Sequence, residues 1–307
     1  MENGNEKIKD TLELQVGSYR LAWDLEEPDE YLREKARTEL RETEEIREEG
    51  FKQLRQLIQE TPELYVPDDE EFLQQFLRPC KWYPKSAFNL MKRYYRFMAT
   101  YPRVCDNLLP SMEEKAFSSN IVLPLPNRTK SGCRIVLIFA GTNWKPKEVS
   151  LTSLFRLVMM HLGAAVQEDR TQIGGVHVIF DLAGFSLSHV AALSPSSAAM
   201  IAEYVQKCQP SRLKGIHMVN QPFIFNMGFA LFKPFLLEKT RKRIHFHGTD
   251  RASLLKHFSP DTMPSYLGGE LELPEESVGA KMWHFFCEYD ERFKTATEYG
   301  YKQVPKE

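Results

Sequence analysis

Serine, histidine and aspartate stand in several places where they could do chemistry. Gly184-Phe185-Ser186-Leu187-Ser188 opens like a nucleophile elbow, but its last position holds serine where G-x-S-x-G needs glycine for the strained strand-to-helix turn. Asp181 closes an apolar run just before Gly184, a position for a turn or capping carboxylate rather than a general base. His245 and His247 would share one strand face, yet no third ligand lies near them in sequence. A tetrahedral zinc centre needs more ligands than that, so packing is their expected role and no metal is expected. The chain has no G-x-G-x-x-G after its first apolar strand and no G-x-x-x-x-G-K-[ST], so it lacks the glycines that bring backbone amides against phosphate. No catalytic residue and no cofactor is assigned. Asn127-Arg128-Thr129 matches a glycosylation sequon by chance, because no secretory signal accompanies it.

What remains is apolar and basic. Between Pro222 and Leu237, Phe223, Phe225, Met227, Phe229, Phe232 and Phe235 surround a helix with large apolar side chains, interrupted by Asn226 and Lys233. Too short to span a bilayer and too apolar for a surface helix, this segment is either a plain core helix or a lid, covering a cavity on one face and meeting membrane on the other. Around it, residues 205–247 hold eight Lys or Arg against the single acid Glu238, in a chain whose formal net charge is -2. Lys239, Arg241, Lys242 and Arg243 either complement a helix C-terminus or bind anionic headgroups.

The elements that must hold these features follow from periodicity. The 307 residues, 42% of them hydrophobic, suffice for one large domain with a smaller companion. No apolar run reaches the roughly 18 residues of a membrane span, and the charged N-terminus is unlike a signal peptide. Five unpaired, widely spaced cysteines suit a reducing compartment, so a cytoplasmic protein is expected. The overall charge excludes a general polyanion binder, and nucleic acid is not an expected partner. Asp24 to Glu63 reads as a solvated helix with Glu34/Arg37 and Glu44/Arg47 placed for i,i+3 pairing. Asp68 or Asp69 then caps a helix through Phe72 to Leu77, and another starts near Ser86. Strands are expected at 121–125, 134–140, 176–182, 213–220 and 243–247, the middle three as continuous apolar runs covered on both faces. Helices intervene: one with Leu151, Leu154, Phe155, Val158, Met159 and Leu162 on a single face, one after Pro195 and one after Pro222. Strand and helix alternating in this way imply an α/β fold with a largely parallel sheet. The divisions expected are a charged tail over 1–27, a helical module over 28–108, an α/β domain over 109–274, and a C-terminal helix and tail over 275–307.

Phe76-Leu77-Arg78-Pro79-Cys80-Lys81, Ile179-Phe180-Asp181-Leu182-Ala183-Gly184-Phe185, Lys214-Gly215-Ile216-His217, Phe232-Lys233-Pro234-Phe235, Arg243-Ile244-His245-Phe246-His247-Gly248 and Leu267-Gly268-Gly269 occur in the order found in the CRAL-TRIO family. From about residue 30 to residue 272 the chain resembles that family, and within it the carriers of tocopherol and retinaldehyde. The resemblance implies a sheet flooring an apolar pocket, a helical N-terminal module, and the 222–237 helix as a mobile gate. Carried over position by position, it puts Phe180, Phe185, Ile201, Tyr204, Val205 and Ile216 on the pocket wall, and Phe155, Val158, Met159 and Met218 are counted with them. A phosphoinositide-reading cleft falls on Arg212, Lys214, Lys239 and Arg243. A fifth cleft position, Arg in the carrier, is Cys80 here. The expected protein is a non-enzymatic, monomeric carrier of one hydrophobic small molecule with transient peripheral contact to anionic membrane. The alternative is a phosphoinositide-sensing regulatory module without cargo transfer.

Overall fold

The computed structural model describes residues 12–23 and 27–302. Its first element lies inside the segment expected as a charged tail. Strands β1 (Leu12–Val16) and β2 (Tyr19–Trp23) form an antiparallel hairpin turned at Gly17, where φ is 59°. Leu14, Val16, Tyr19 and Leu21 alternate onto its buried face, and the Tyr19 hydroxyl donates to the carbonyl of Pro124. Period-two alternation across the Gly17-Ser18 turn encodes the hairpin, within flanking residues whose charge gives the segment the look of a tail.

Four helices follow. α1 (Glu30–Leu40) starts on the Asp29 carboxylate, which accepts from the Leu32 amide, and stops at Arg41 in the left-handed region. α2 (Glu44–Gln59) is capped by Thr43, so the stretch expected as one solvated helix is two. Arg37 does pair with Glu34, but Arg47 lies 3.7 Å from Glu42 rather than on Glu44. Beyond the short strand β3 (Leu64–Tyr65), Asp69 caps α3 (Glu70–Leu77), and α4 (Pro84–Thr100) begins two residues before the expected Ser86. Leu54, Leu73, Leu77, Trp82, Ala87 and Met91 close into a core of their own. Buried Arg78 joins this core to the rest of the chain, donating to Glu42 (2.9 Å), Asp169 (2.6 Å) and Gln172 (2.8 Å).

The five expected strands are β4 (Val122–Pro124), β5 (Arg134–Phe139), β6 (Val176–Asp181), β7 (Leu213–Val219) and β8 (Ile244–Gly248), side by side in that order. β4 runs antiparallel to β5, and the other pairs are parallel. The helices Leu151–Ala165 and Pro195–Glu203 connect β5 to β6 and β6 to β7. Register sorts the side chains. Val136, Val178, Ile216 and Ile244 form one row, and Ile138, Phe180, Met218 and Phe246 the next on the same face. Leu137, Ile179, His217 and His245 form the intervening row on the opposite face. The helix Val278–Cys287 packs Phe286 against Phe117 and His161, and β9 (Gly300–Tyr301) pairs with β3, adding a short strand where only a polar tail was expected.

Candidate functional site

The segment after Pro222 forms a helix over Phe225–Phe232 and a tighter turn over Lys233–Phe235. Its apolar residues divide between two sides. Phe225 and Gly228 are buried and Phe229 and Phe232 half-buried, facing the sheet side. Phe223 (89% exposed), Met227 (54%), Phe235 (38%) and Leu237 (48%) face outward. The Phe225 ring meets Phe185 edge-on at 5.7 Å, and Phe229 meets Phe246 of β8 at 5.2 Å. Gly228 permits that seat, because a Cβ there would lie 3.3 Å from Leu193 Cδ1 and 3.4 Å from the Phe185 ring. No helix among the described residues is long and apolar enough to cross a membrane.

Polar contacts hold both ends of this helix. At the entry, Asn220 takes φ 55° and donates to Asp181 Oδ1 (2.8 Å), while Arg251 donates to Asn220 Oδ1 (2.7 Å). Asp181 also accepts from the Ala183 amide at 3.0 Å, which is the turn role its position suggested. At the exit, Gln206 donates to the Phe235 carbonyl (3.1 Å) and accepts from the Leu237 amide (2.7 Å). Gln206 sits in the π-helical stretch Tyr204–Cys208, and no local pattern marked it as a latch. The serine of the incomplete elbow, Ser186, meets His189 Nδ1 at 3.0 Å, but as a helix cap. His189 Nε2 is committed to the Trp144 carbonyl at 2.8 Å, with no carboxylate behind it.

Between sheet and helices stand the expected wall residues. Phe155, Met159, Phe185, Tyr204 and Met218 are buried, whereas Val158, Phe180, Ile201, Val205 and Ile216 are half-buried within interior elements. Phe155 packs edge-on against Tyr204 at 5.4 Å. Phe97 of α4 reaches the same ring at 5.1 Å, so the helical module contributes a residue that spacing had not suggested.

The basic residues gather where α1, β7 and the segment after Phe235 meet. Arg212 donates to Glu39 of α1 (2.6 Å) and to the Ile173 carbonyl, and Lys214 Nζ lies 3.6 Å from the same carboxylate. Burial and the charge of Arg212 lower the pKa of Arg243, whose guanidinium donates to the Leu213 carbonyl at 2.5 Å. Burial, then Arg212, also lowers that of Lys214. Lys239 is exposed at the same end. Cys80 lies close enough to Arg93 and Lys239 for both charges to act on its thiol, although burial dominates and pushes its pKa up to about 11. Exposed Arg93 donates to the Lys207 carbonyl at 2.8 Å, which puts a guanidinium close to Cys80.

Fold and site together define an α/β domain in which a short helix, apolar on both its buried and its exposed side, packs over the sheet beside a basic edge. A family model described as CRAL/TRIO domain matches residues 118–269. Clavesin-1 of Pongo abelii is 33% identical over 242 residues, covering 78% of this chain and 68% of that protein. Alpha-tocopherol transfer protein-like of Homo sapiens is 34% identical over 236 residues, covering 76% and 69%. The chain belongs to the CRAL/TRIO domain family. The solved structure of Sfh5 overlaps it loosely, with a TM-score of 0.44 at 18% identity over 65% of this chain and 72% of that one.

Proposed function

We propose that this chain carries one hydrophobic small molecule, a tocopherol, retinoid, carotenoid or related lipid, beneath the Phe225–Phe232 helix and exchanges it at anionic membranes. The observation that carries this reading is the division of one short helix into two apolar sides, with Phe225 and Phe229 inward and Phe223 and Met227 outward. In water, lifting the helix exposes the inner rings, at about 1.5–3 kcal/mol for each large apolar side chain. Against a bilayer that cost vanishes, because hydrocarbon receives both faces. The membrane thus stabilises the open form over the closed one, as a gate requires. Arg212, Lys214, Lys239 and Arg243, with Arg93 beside Cys80, supply the attraction to phosphoinositide headgroups, each worth roughly 1 kcal/mol near the surface. The cleft already accepts an anion in the closed form, the carboxylate of Glu39. The human relative, named alpha-tocopherol transfer protein-like, agrees with this cargo class.

Organic extraction and mass spectrometry of the purified protein tests the cargo directly. A stoichiometric isoprenoid or phospholipid supports the carrier. A chain that is repeatedly empty yet binds phosphoinositide vesicles supports the sensing module instead. Lys239→Ala with Arg243→Ala should slow transfer between vesicles while leaving cargo affinity unchanged, and an unchanged transfer rate refutes the coupling.

A further inference from the structure

The face of the sheet turned away from the gate carries a feature that strand spacing only hinted at. His177 of β6, His217 of β7, His245 and His247 of β8, and His257 just beyond the helix Arg251–Leu255 converge there, five of the eight histidines in the chain. His217 is at the centre. Its Nε2 lies 3.1 Å from His177 Nδ1, and its Nδ1 lies 3.0 Å from His247 Nε2. The rings of His245 and His257 are each 4.9 Å from its own. Gly215 makes room for this arrangement, since a Cβ at that position would fall 2.6 Å from His217 Nε2 and 2.8 Å from His177 Nδ1. A strand interior that gives up its side chain to admit two imidazoles indicates that the rings, not the strand, set the residue choice.

We propose that His217, His247 and His257 form a binding site for a divalent transition metal of the imidazole-preferring kind, Zn2+ above all. One nitrogen from each lies within 4.8 Å of the others. Zinc–imidazole bonds of about 2.0–2.1 Å set tetrahedral ligand edges near 3.3 Å. His217 Nδ1 and His247 Nε2, 3.0 Å apart, are already at that separation. His257 is exposed, so side-chain rotation can bring its nitrogen the rest of the way and leaves an entry path for the ion.

The supporting contacts suit metal ligands. With the metal on His217 Nδ1, the other nitrogen can donate to His177. With the metal on His247 Nε2, the Nδ1–H is directed to Ser253 Oγ at 2.9 Å. Such partners fix the tautomer and the orientation of a ligating ring. Half-buried His245, stacked on His217, and water are the candidates for the fourth position.

Titration of the full, chelator-stripped chain with Co2+ and then Zn2+ tests the site. One Co2+ per chain should bind with the visible absorption of a tetrahedral centre and be displaced by one Zn2+. His257→Ala, at an exposed position that leaves the fold intact, should weaken Zn2+ binding by more than the roughly tenfold expected of an outer-shell loss such as Ser253→Ala. His284→Ala, an exposed histidine outside the cluster, should leave it unchanged. Absence of stoichiometric binding, equal affinity in the His257 variant, or an equal loss in the His284 variant overturns the site.

Discussion

Glu39→Gln separates an intramolecular contact from a membrane contact. The Glu39 carboxylate bridges Arg212 at 2.6 Å and Lys214 at 3.6 Å, two of the residues proposed to meet an anionic headgroup. Burial alone would raise the pKa of this carboxyl. The hydrogen bond from Arg212 and the charges of Lys214, Lys35 and Arg212 together hold it below the ordinary carboxylate range, so it stays ionised and competes at neutral pH. Glu39 is 45% exposed, which limits each pair to about 0.5–1 kcal/mol after solvent screening. Removing the charge therefore returns about 1–2 kcal/mol to the headgroup, a gain of roughly five- to thirtyfold in affinity. Cosedimentation with phosphatidylcholine vesicles containing a few per cent phosphoinositide reads this gain. It should shrink as salt rises, since exposed charges are screened beyond about 8 Å at physiological ionic strength. Adding Arg212→Gln should abolish it. Unchanged or weaker binding by Glu39→Gln, or an equal gain on vesicles without phosphoinositide, refutes the reasoning.

The remaining predictions concern the latch, the joint and the core. Gln206→Ala removes both side-chain hydrogen bonds at the gate exit, about 1 kcal/mol each, and should accelerate release of a fluorescent lipid to vesicles several-fold without changing the unfolding midpoint by more than a few degrees. Arg78→Ala leaves Glu42 and Asp169 without their buried guanidinium and should cost about 3–5 kcal/mol in denaturant unfolding; a cost below 1 kcal/mol contradicts its role as the joint. His161 is fully buried, and burial pushes its pKa down to about 4, while an unfolded imidazole titrates near 6.5. Between those values the unfolded chain takes up a proton that the folded chain refuses, so stability present above pH 6.5 is lost on acidification, by about 3 kcal/mol at pH 4. His161→Leu should flatten the stability profile over that interval, and an unaltered slope rules this group out as its source.

Local rules decided a large part of this protein before any packing was known. Strand boundaries at Arg134, Val176 and Leu213 and an aspartate cap ahead of Phe72 follow from side-chain period and from the hydrogen-bonding needs of a helix end, which neighbouring residues satisfy. The Leu151–Ala165 helix, by contrast, expected to be apolar on one face, also buries Arg156, Leu157, Met160 and His161, because packing covers it on more than that face. The Pro222–Leu237 segment was legible as too apolar for a surface and too short for a bilayer, and the collinear motifs marked the family. Linear spacing held no record of how far-separated segments meet. Glu39 reaches Arg212 across 173 positions, and Arg93 reaches the Lys207 carbonyl across 114. His245 and His247 looked like a pair without a third ligand because His177 and His217 are brought to them by strand pairing and His257 by the turn after the last sheet helix. Periodicity specifies which face a residue takes. Which residues share that face is set by the order and register of the strands, and those are chosen by burial of the whole sheet.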